Sequence, residues 1–104
     1  MQPLVSYDYM SKYRKAVHEM LDENKELFDE FRAIHEAYAI NPEVNQAKYN
    51  AIGAPVMDVI REYERHLCAK MGAGKYSKFS ANLSEKFMEE IKTIFSKIMF
   101  IGVT

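Results

Sequence analysis

Three histidines with acidic neighbours are the first candidates for chemistry in this chain of 104 residues. Glu62 and His66 are four positions apart, and so are His18 and Asp22, so each pair lies on one face of a helix. Metal centres in helical bundles combine a Glu-x-x-His pair from each of two helices with further glutamates. Because the chain contains no Glu-x-x-His, we predict neither a bound metal nor another cofactor.

Arg61 and His66 form a second candidate pair, with four residues between them. This spacing resembles the motif of HEPN-type ribonucleases, small all-α domains that dimerise to build a metal-independent site. The resemblance implies that Arg61 would stabilise charge on a phosphate and that His66 would transfer a proton. The family favours a small polar residue after the arginine, whereas Glu62 stands there and would repel phosphate. A solvated helix face is therefore the favoured interpretation, and a HEPN-like or other nucleic-acid-directed domain is the alternative.

A segment rich in basic and aromatic residues follows this pair. Its members are Arg65, Lys70, Lys75, Tyr76, Lys78 and Phe79. Bases can stack on such rings while the cations contact phosphates, which would serve the nucleic-acid alternative. The net charge of the chain is only −1, however, and the electrostatic part of nucleic-acid binding grows with the number of phosphates contacted. We expect these aromatic rings to pack a loop onto the helices instead.

The elements that must position these residues are helical. Apolar residues recur every three or four positions from Met10 to Tyr38, and Asn24 is the single polar residue in that series. This heptad pattern, uninterrupted by Gly or Pro, predicts one helix over residues 6–40. A lone Asn in such a seam can pair with its counterpart in a second chain. Asn24 is therefore a predicted interface residue, with a solvated side chain as the alternative.

Two further helices are predicted after this one. Asn41-Pro42 ends the first helix and begins the second, because Asn caps helices and Pro favours their first position. The second helix covers about residues 42–71, and its apolar stripe is Val44, Ala47, Ala51, Val56, Ile60, Tyr63, Leu67 and Met71. Gly53-Ala54-Pro55 predicts a kink or break within it. The third helix covers about residues 77–100.

The predicted fold is all-α, since no segment alternates as a strand does. We expect an elongated up-down-up bundle of three long helices, the middle one kinked or broken near Gly53-Pro55, as a single domain over residues 1–104. A helix over residues 6–40 would be about 50 Å long. Three such helices leave apolar stripes wider than their neighbours can cover, so we expect self-association as a homodimer.

The C-terminal run Ile98-Met99-Phe100-Ile101-Gly102-Val103 holds five apolar residues in six. These cannot all face one core from a helix, because successive residues point about 100° apart. We therefore expect Met99, Phe100 and Val103 to be interface residues. They would meet either a second subunit or the hollow around Gly53-Pro55.

Composition and cysteine content favour a soluble protein of the cytoplasm. The single cysteine, Cys68, cannot form a disulfide within the chain, and no apolar run approaches the roughly 18 residues that cross a bilayer. The sequence indicates no catalytic set. We predict a small helical interaction or regulatory protein that acts through a self-associating or partner-binding helical face. Its partner is a second copy or another protein, with nucleic acid as the alternative and no membrane.

Overall fold

Helices account for nearly all of the chain that the structure describes. The computed structural model describes residues 4–70 and 77–103. Within these ranges α1 spans Leu4–Glu23, α2 Lys25–Ile40, α3 Pro42–Lys70 and α4 Ser77–Ile94, and a short 3-10 helix covers Ile98–Phe100. No strand occurs in the same ranges, so the all-α prediction is confirmed.

The helix predicted over residues 6–40 is divided at Asn24 into α1 and α2. Asn24 has φ −123° and ψ 38°, outside the helical range. Backbone bonding continues across it, because the Asn24 N–H donates to the Met20 carbonyl at 3.1 Å and the Phe28 N–H donates to the Asn24 carbonyl at 3.0 Å. The Asn24 side chain also donates to the Met20 carbonyl, at 3.0 Å. An amide that competes for a backbone carbonyl distorts a helix locally, which the heptad pattern does not reveal.

The junction of α2 and α3 lies where the sequence predicts it. Pro42 is the first residue of α3, and Asn41 Oδ1 accepts a hydrogen bond from the Val44 N–H at 3.4 Å. Asn45 Nδ2 donates to the Ala37 carbonyl at 3.1 Å and ties the two helices together. The short connection places α2 and α3 side by side in opposite directions.

The middle helix, α3, continues through Pro55 and is not split in two. Proline lacks the N–H that would bond the carbonyl of Ala51, and Ala51 is exposed, so water can satisfy that carbonyl. The first half of the predicted stripe is wrong, because Val44, Ala47 and Ala51 are all exposed. The buried face of α3 consists instead of Tyr49, Gly53, Val56, Ile60 and Leu67.

The core is rich in aromatic rings from several elements. Phe31 of α2 is fully buried, and its ring centroid lies 5.0 Å from that of Phe95 in an edge-to-face contact. Tyr38 of α2 stacks on Tyr49 of α3 with a centroid distance of 4.1 Å. The molecule is elongated, with principal extents of 47 × 32 × 21 Å, as the long helices require.

The last helix, α4, ends at Ile94 rather than at Phe100 as predicted. The segment from Phe95 to Val103, called the C-terminal tail below, contains the 3-10 helix. Side chains three positions apart share one side of a 3-10 helix. Phe95, Ile98 and Ile101 therefore turn inward, where the first two are buried and the third is half-buried. Met99, Phe100 and Val103 are left on the outside.

Candidate functional site

The C-terminal tail is held in place by polar side chains of α2 and α3. Its first anchor is the peptide group of Lys97, whose N–H donates to His35 Nε2 at 3.0 Å. The Lys97 carbonyl accepts a hydrogen bond from the Tyr49 hydroxyl at 2.6 Å. His35 and Tyr49 are both buried. The N–H and the carbonyl of Lys97 are therefore both hydrogen-bonded, and these bonds orient the residues that follow.

Gln46 and Asn50, one turn apart on α3, hold the rest of the tail. Gln46 Nε2 donates to the Phe100 carbonyl at 3.2 Å. Asn50 Oδ1 accepts a hydrogen bond from the Gly102 N–H at 2.7 Å, and Asn50 Nδ2 donates to the Val103 carbonyl at 3.0 Å. Side chains of α3 thus form hydrogen bonds with the backbone of the tail at Phe100, Gly102 and Val103.

The predicted interface residues of the tail project away from these anchors. Met99 is 59% exposed, Phe100 44% and Val103 45%. Ile101, between them, packs against Gly53 of α3, so the tail does lie on the segment near Gly53-Pro55, through Ile101. The contact of the other three residues with a second subunit stays a prediction.

Two further exposed apolar residues lie at the same end of the bundle. Ile40 is 86% exposed and Val44 is 75% exposed, and they flank the turn between α2 and α3. The tail reaches this turn, because the Phe100 ring lies 6.4 Å from that of Tyr38. Most other large apolar side chains of the described residues are buried or half-buried.

His35 is the ionisable group at the base of the tail. It is 9% exposed, and its ring lies 5.5 Å from that of Phe95 and 6.2 Å from that of Tyr49 between centroids. Because Nε2 accepts the bond from Lys97, it carries a lone pair, so the imidazole is neutral with its proton on Nδ1. The proton position follows from this donor and acceptor pairing.

The surroundings of His35 and Tyr49 favour their neutral forms. Burial lowers the pKa of His35; the carboxylate of Glu36 opposes this shift, and the cations of Arg32 and Lys97 add to it. Burial, followed by the proximity of Tyr38, raises the pKa of the Tyr49 phenol. Tyr49 is therefore a hydrogen-bond donor throughout the physiological pH range.

A cleft of about 580 Å³ lies between α1 and α3. Side chains of both charges line it, among them Lys15, Glu19, Glu23, Glu62 and His66. Asn24 and Tyr63 also line it. The Tyr63 hydroxyl donates to Glu23, and Asn24 Nδ2 lies 3.5 Å from the Tyr63 oxygen. That bond to Glu23, aided by burial, raises the pKa of Tyr63. Asn24 thus has partners within its own chain, and its role at an interface stays a prediction.

The structure places Arg61 and His66 in different surroundings. Both are exposed, but Arg61 Nη1 lies 3.7 Å from Asp58 Oδ1 on the same helix, whereas His66 lines the cleft. Residues five positions apart point about 140° apart around a helix. Phosphate chemistry by this pair would need the two side chains to converge, and the described contacts do not bring them together.

The acid and histidine pairs have different surroundings too. All four residues are exposed, but only Glu62 and His66 line the cleft. Within residues 4–70 and 77–103, no three His, Cys, Asp or Glu residues are grouped as a metal site requires. Of the basic and aromatic segment, only Arg65 has a described side chain, and it is exposed; Lys70, Lys75, Tyr76, Lys78 and Phe79 lie outside the described side chains.

The sequence analysis considered His35 only as one of the three histidines with acidic neighbours, and it did not single out Tyr49, Gln46 or Asn50. His35 follows Phe31 by one helical turn, so it lies on the face of α2 that carries the apolar stripe. Tyr49 precedes Gly53 and Val56 at helical spacing, a signal that would have predicted the buried face of α3. Gln46 and Asn50 carry no comparable signal.

Comparison with known proteins gives no family assignment. No protein-family model, no curated protein and no solved structure matches this chain. Among the described residues, no helix is both long enough and apolar enough to traverse a lipid bilayer.

Proposed function

We propose that this protein acts by self-association, and that two copies meet through one end of the bundle. The surface that we propose, called the apolar end below, combines Met99, Phe100 and Val103 of the tail with Ile40 and Val44 beside the α2–α3 turn, all of them exposed. The observation that carries the proposal is that the tail is bound at its backbone while its apolar side chains face solvent. A second copy of the chain is the partner to which we commit.

The rigidity of the tail favours binding. Association usually costs free energy because loops and side chains lose mobility at the interface. In the tail, most of this ordering is already present in one chain, since His35, Tyr49, Gln46 and Asn50 bind its backbone. Covering Met99 and Phe100 would then yield about 25 cal/mol for each Å² of apolar surface removed from water. Concentrated apolar exposure of this kind is typical of interaction sites.

The charges around the apolar end favour a second copy over a partner of one charge sign. Glu43 is exposed beside Val44, and Lys48 is exposed one turn further along α3. On the tail, Lys97 Nζ lies 5.7 Å from the centre of the Phe100 ring. In a two-fold interface each patch meets its own copy, so a rim with both signs can pair acid with base across the axis. A strongly acidic partner would be repelled by Glu43, and a strongly basic partner by Lys48 and Lys97.

Sedimentation velocity of the purified chain over a range of micromolar concentrations tests the proposal. We expect a monomer–dimer equilibrium in the wild type. The double substitution Met99→Ser and Phe100→Ser should weaken dimerisation by at least about 30-fold, because truncation of a central interface residue commonly costs about 2 kcal/mol or more. Both side chains are largely exposed, so the double variant should remain folded by circular dichroism.

The matched control is Glu85→Ser, which changes an exposed residue of α4 far along the chain from the tail. This variant should dimerise as the wild type does. A wild type that sediments as a monomer at every concentration would contradict the proposal. A dimer that persists in the Met99 and Phe100 double variant would also contradict it, and would direct attention to the predicted interface at Asn24.

A further inference from the structure

One hydrogen bond at the base of the tail depends on the protonation state of a buried side chain. The Lys97 N–H donates to His35 Nε2 at 3.0 Å. A protonated imidazole carries a hydrogen on both ring nitrogens and has no lone pair to offer. Protonation of His35 would therefore set two N–H groups against each other at the first anchor of the tail.

We infer that protonation of His35 releases the C-terminal tail from α2 and α3, so that acidification switches off association through the apolar end. The role in association rests on the proposed function. Release of the tail within one chain is a separate event that can be measured by itself.

The groups that face His35 do not compensate for a positive charge on its ring. Arg32 on α2 and Lys97 on the tail are cations that disfavour the imidazolium. Glu36 on α2 is the carboxylate that favours it. From α3 the facing titratable group is Tyr49, which is neutral. From the start of the tail the facing ring is Phe95. An imidazolium in these surroundings would lose hydration and gain one acidic neighbour against two basic ones.

Release of the tail beyond Phe95 would rehydrate the ring without unfolding α2 or α3, at the cost of exposing the buried side chain of Ile98. The tail lies near the end of the described chain, and local opening costs less than global unfolding. The Tyr49 hydroxyl binds the carbonyl of Lys97 itself, so moving Lys97 away from His35 disturbs a second anchor too. Only the hydrogen bonds of Gln46 and Asn50 with the tail would then remain. Met99 and Phe100 would lose their fixed orientation.

The sign of the pH dependence follows from linkage. With the tail docked, the pKa of His35 is lowered from its ordinary value of 6.5, and with the tail released the exposed ring returns toward that value. The contribution of His35 to docking is therefore fully present above about pH 6.5 and is lost as the pH falls from there to the lowered pKa. Within this window the ratio of docked to released tail falls by up to about tenfold for each pH unit.

Nuclear magnetic resonance of the dilute, 15N-labelled chain tests the release of the tail. As the pH falls below neutrality, the amide signals of Lys97 and Gly102 should move toward random-coil positions together with protonation of His35 Nε2. The substitution His35→Gln supplies an amide oxygen that can accept the Lys97 N–H at any pH, so this variant should retain a docked tail in acid. The control is His18→Gln, which changes an exposed histidine and should behave as the wild type.

Sedimentation velocity at neutral and acidic pH then tests the link to association. We expect the wild-type dimer to dissociate in acid and the His35→Gln dimer to persist. Amide signals of the tail that stay unchanged while His35 Nε2 becomes protonated would overturn the inference, and this wild-type readout holds even if His35→Gln fails to fold. Tail release in acid by a chain that is monomeric at neutral pH would refute the proposed function alone. A dimer that forms at neutral pH and persists in acid after His35 is protonated would refute the switch alone.

Discussion

The side chain of Ile101 occupies the space that a side chain on Gly53 would need. A methyl group at Gly53 would lie 2.7 Å from Ile101 Cγ1 and 2.8 Å from both Cδ1 and Cγ2. Carbon atoms in favourable contact are about 3.5–4.0 Å apart. A glycine inside a helix normally costs about 0.5–1 kcal/mol relative to alanine. The close approach of the tail is the physical reason why α3 accommodates a glycine here.

Substitution of Gly53 by alanine should therefore destabilise the protein, although alanine is the better helix former. Both Cγ branches of Ile101 lie too close, so the stiff β-branched side chain must leave its rotamer or the tail must move. We expect a loss of about 1–3 kcal/mol in the free energy of unfolding, as is usual for overpacking, measured by urea denaturation.

The double variant with Ile101→Ala is the control for this prediction. In that background the clash is relieved, so Gly53→Ala should stabilise the chain by about 0.5–1 kcal/mol through helix propensity. If Gly53→Ala stabilised the wild-type chain as much as it stabilises the Ile101→Ala chain, the close contact of Ile101 with Gly53 would be refuted.

Tyr49→Phe tests the hydrogen bond to the base of the tail. The ring packing is kept, but the carbonyl of Lys97 loses the hydroxyl donor that lies at 2.6 Å. We expect the free energy of unfolding to fall by about 0.5–1.5 kcal/mol. The part-buried Lys97 carbonyl loses one of its two hydrogen bonds and keeps the one from the Phe100 N–H at 3.0 Å.

The matched control for this prediction is Tyr63→Phe. The Tyr63 hydroxyl donates to Glu23 in a contact that is exposed to solvent, so water can replace the lost partner. This substitution should change the free energy of unfolding by less than about 0.5 kcal/mol. Equal effects of the two substitutions would contradict the anchoring role of Tyr49.

Alkaline pH should loosen the same anchor. Because burial raises the pKa of Tyr49 above its ordinary value of 10.0, the folded chain holds that proton more tightly than the unfolded chain. The resulting stability is fully present below about pH 10 and is lost as the pH rises above it. Thermal denaturation across this range should show a smaller alkaline decline in Tyr49→Phe than in the wild type. An identical decline in both chains would show that Tyr49 is not the group responsible.

Truncation of the central aromatic residue of α2 tests the assignment of its buried face. Phe31 is fully buried, and its ring contacts those of Phe95 and Tyr49 at centroid distances of 5.0 and 5.4 Å. Phe31→Ala should cost about 3–5 kcal/mol, measured by chemical denaturation. Its neighbour Glu30 is exposed, so Glu30→Ala should stay within about 0.5 kcal/mol of the wild type. Comparable losses of stability in the two variants would mean that the buried face of α2 is assigned to the wrong residues.

The sequence by itself determined the helical class, the α2–α3 junction and the buried faces of α1 and α2. Capping by Asn41 and the missing N–H of Pro42 act within one turn, so their effect can be predicted locally. The apolar spacing likewise identifies Val17 and Phe31 as core residues, and both are buried. Such features survive because they depend on neighbours no more than a few residues away.

The tertiary structure alone decided the features that carry the proposed function. The buried face of α3 passes through Tyr49 and Gly53 rather than Val44 and Ala51 because the tail, from the other end of the chain, covers that side. The polar anchors matter for the same reason: His35 and Asn50 are ordinary helical residues until a distant backbone segment meets them. Hydrogen bonds and close contacts between residues far apart in sequence leave no periodic signal in either segment, so only the folded chain reveals them.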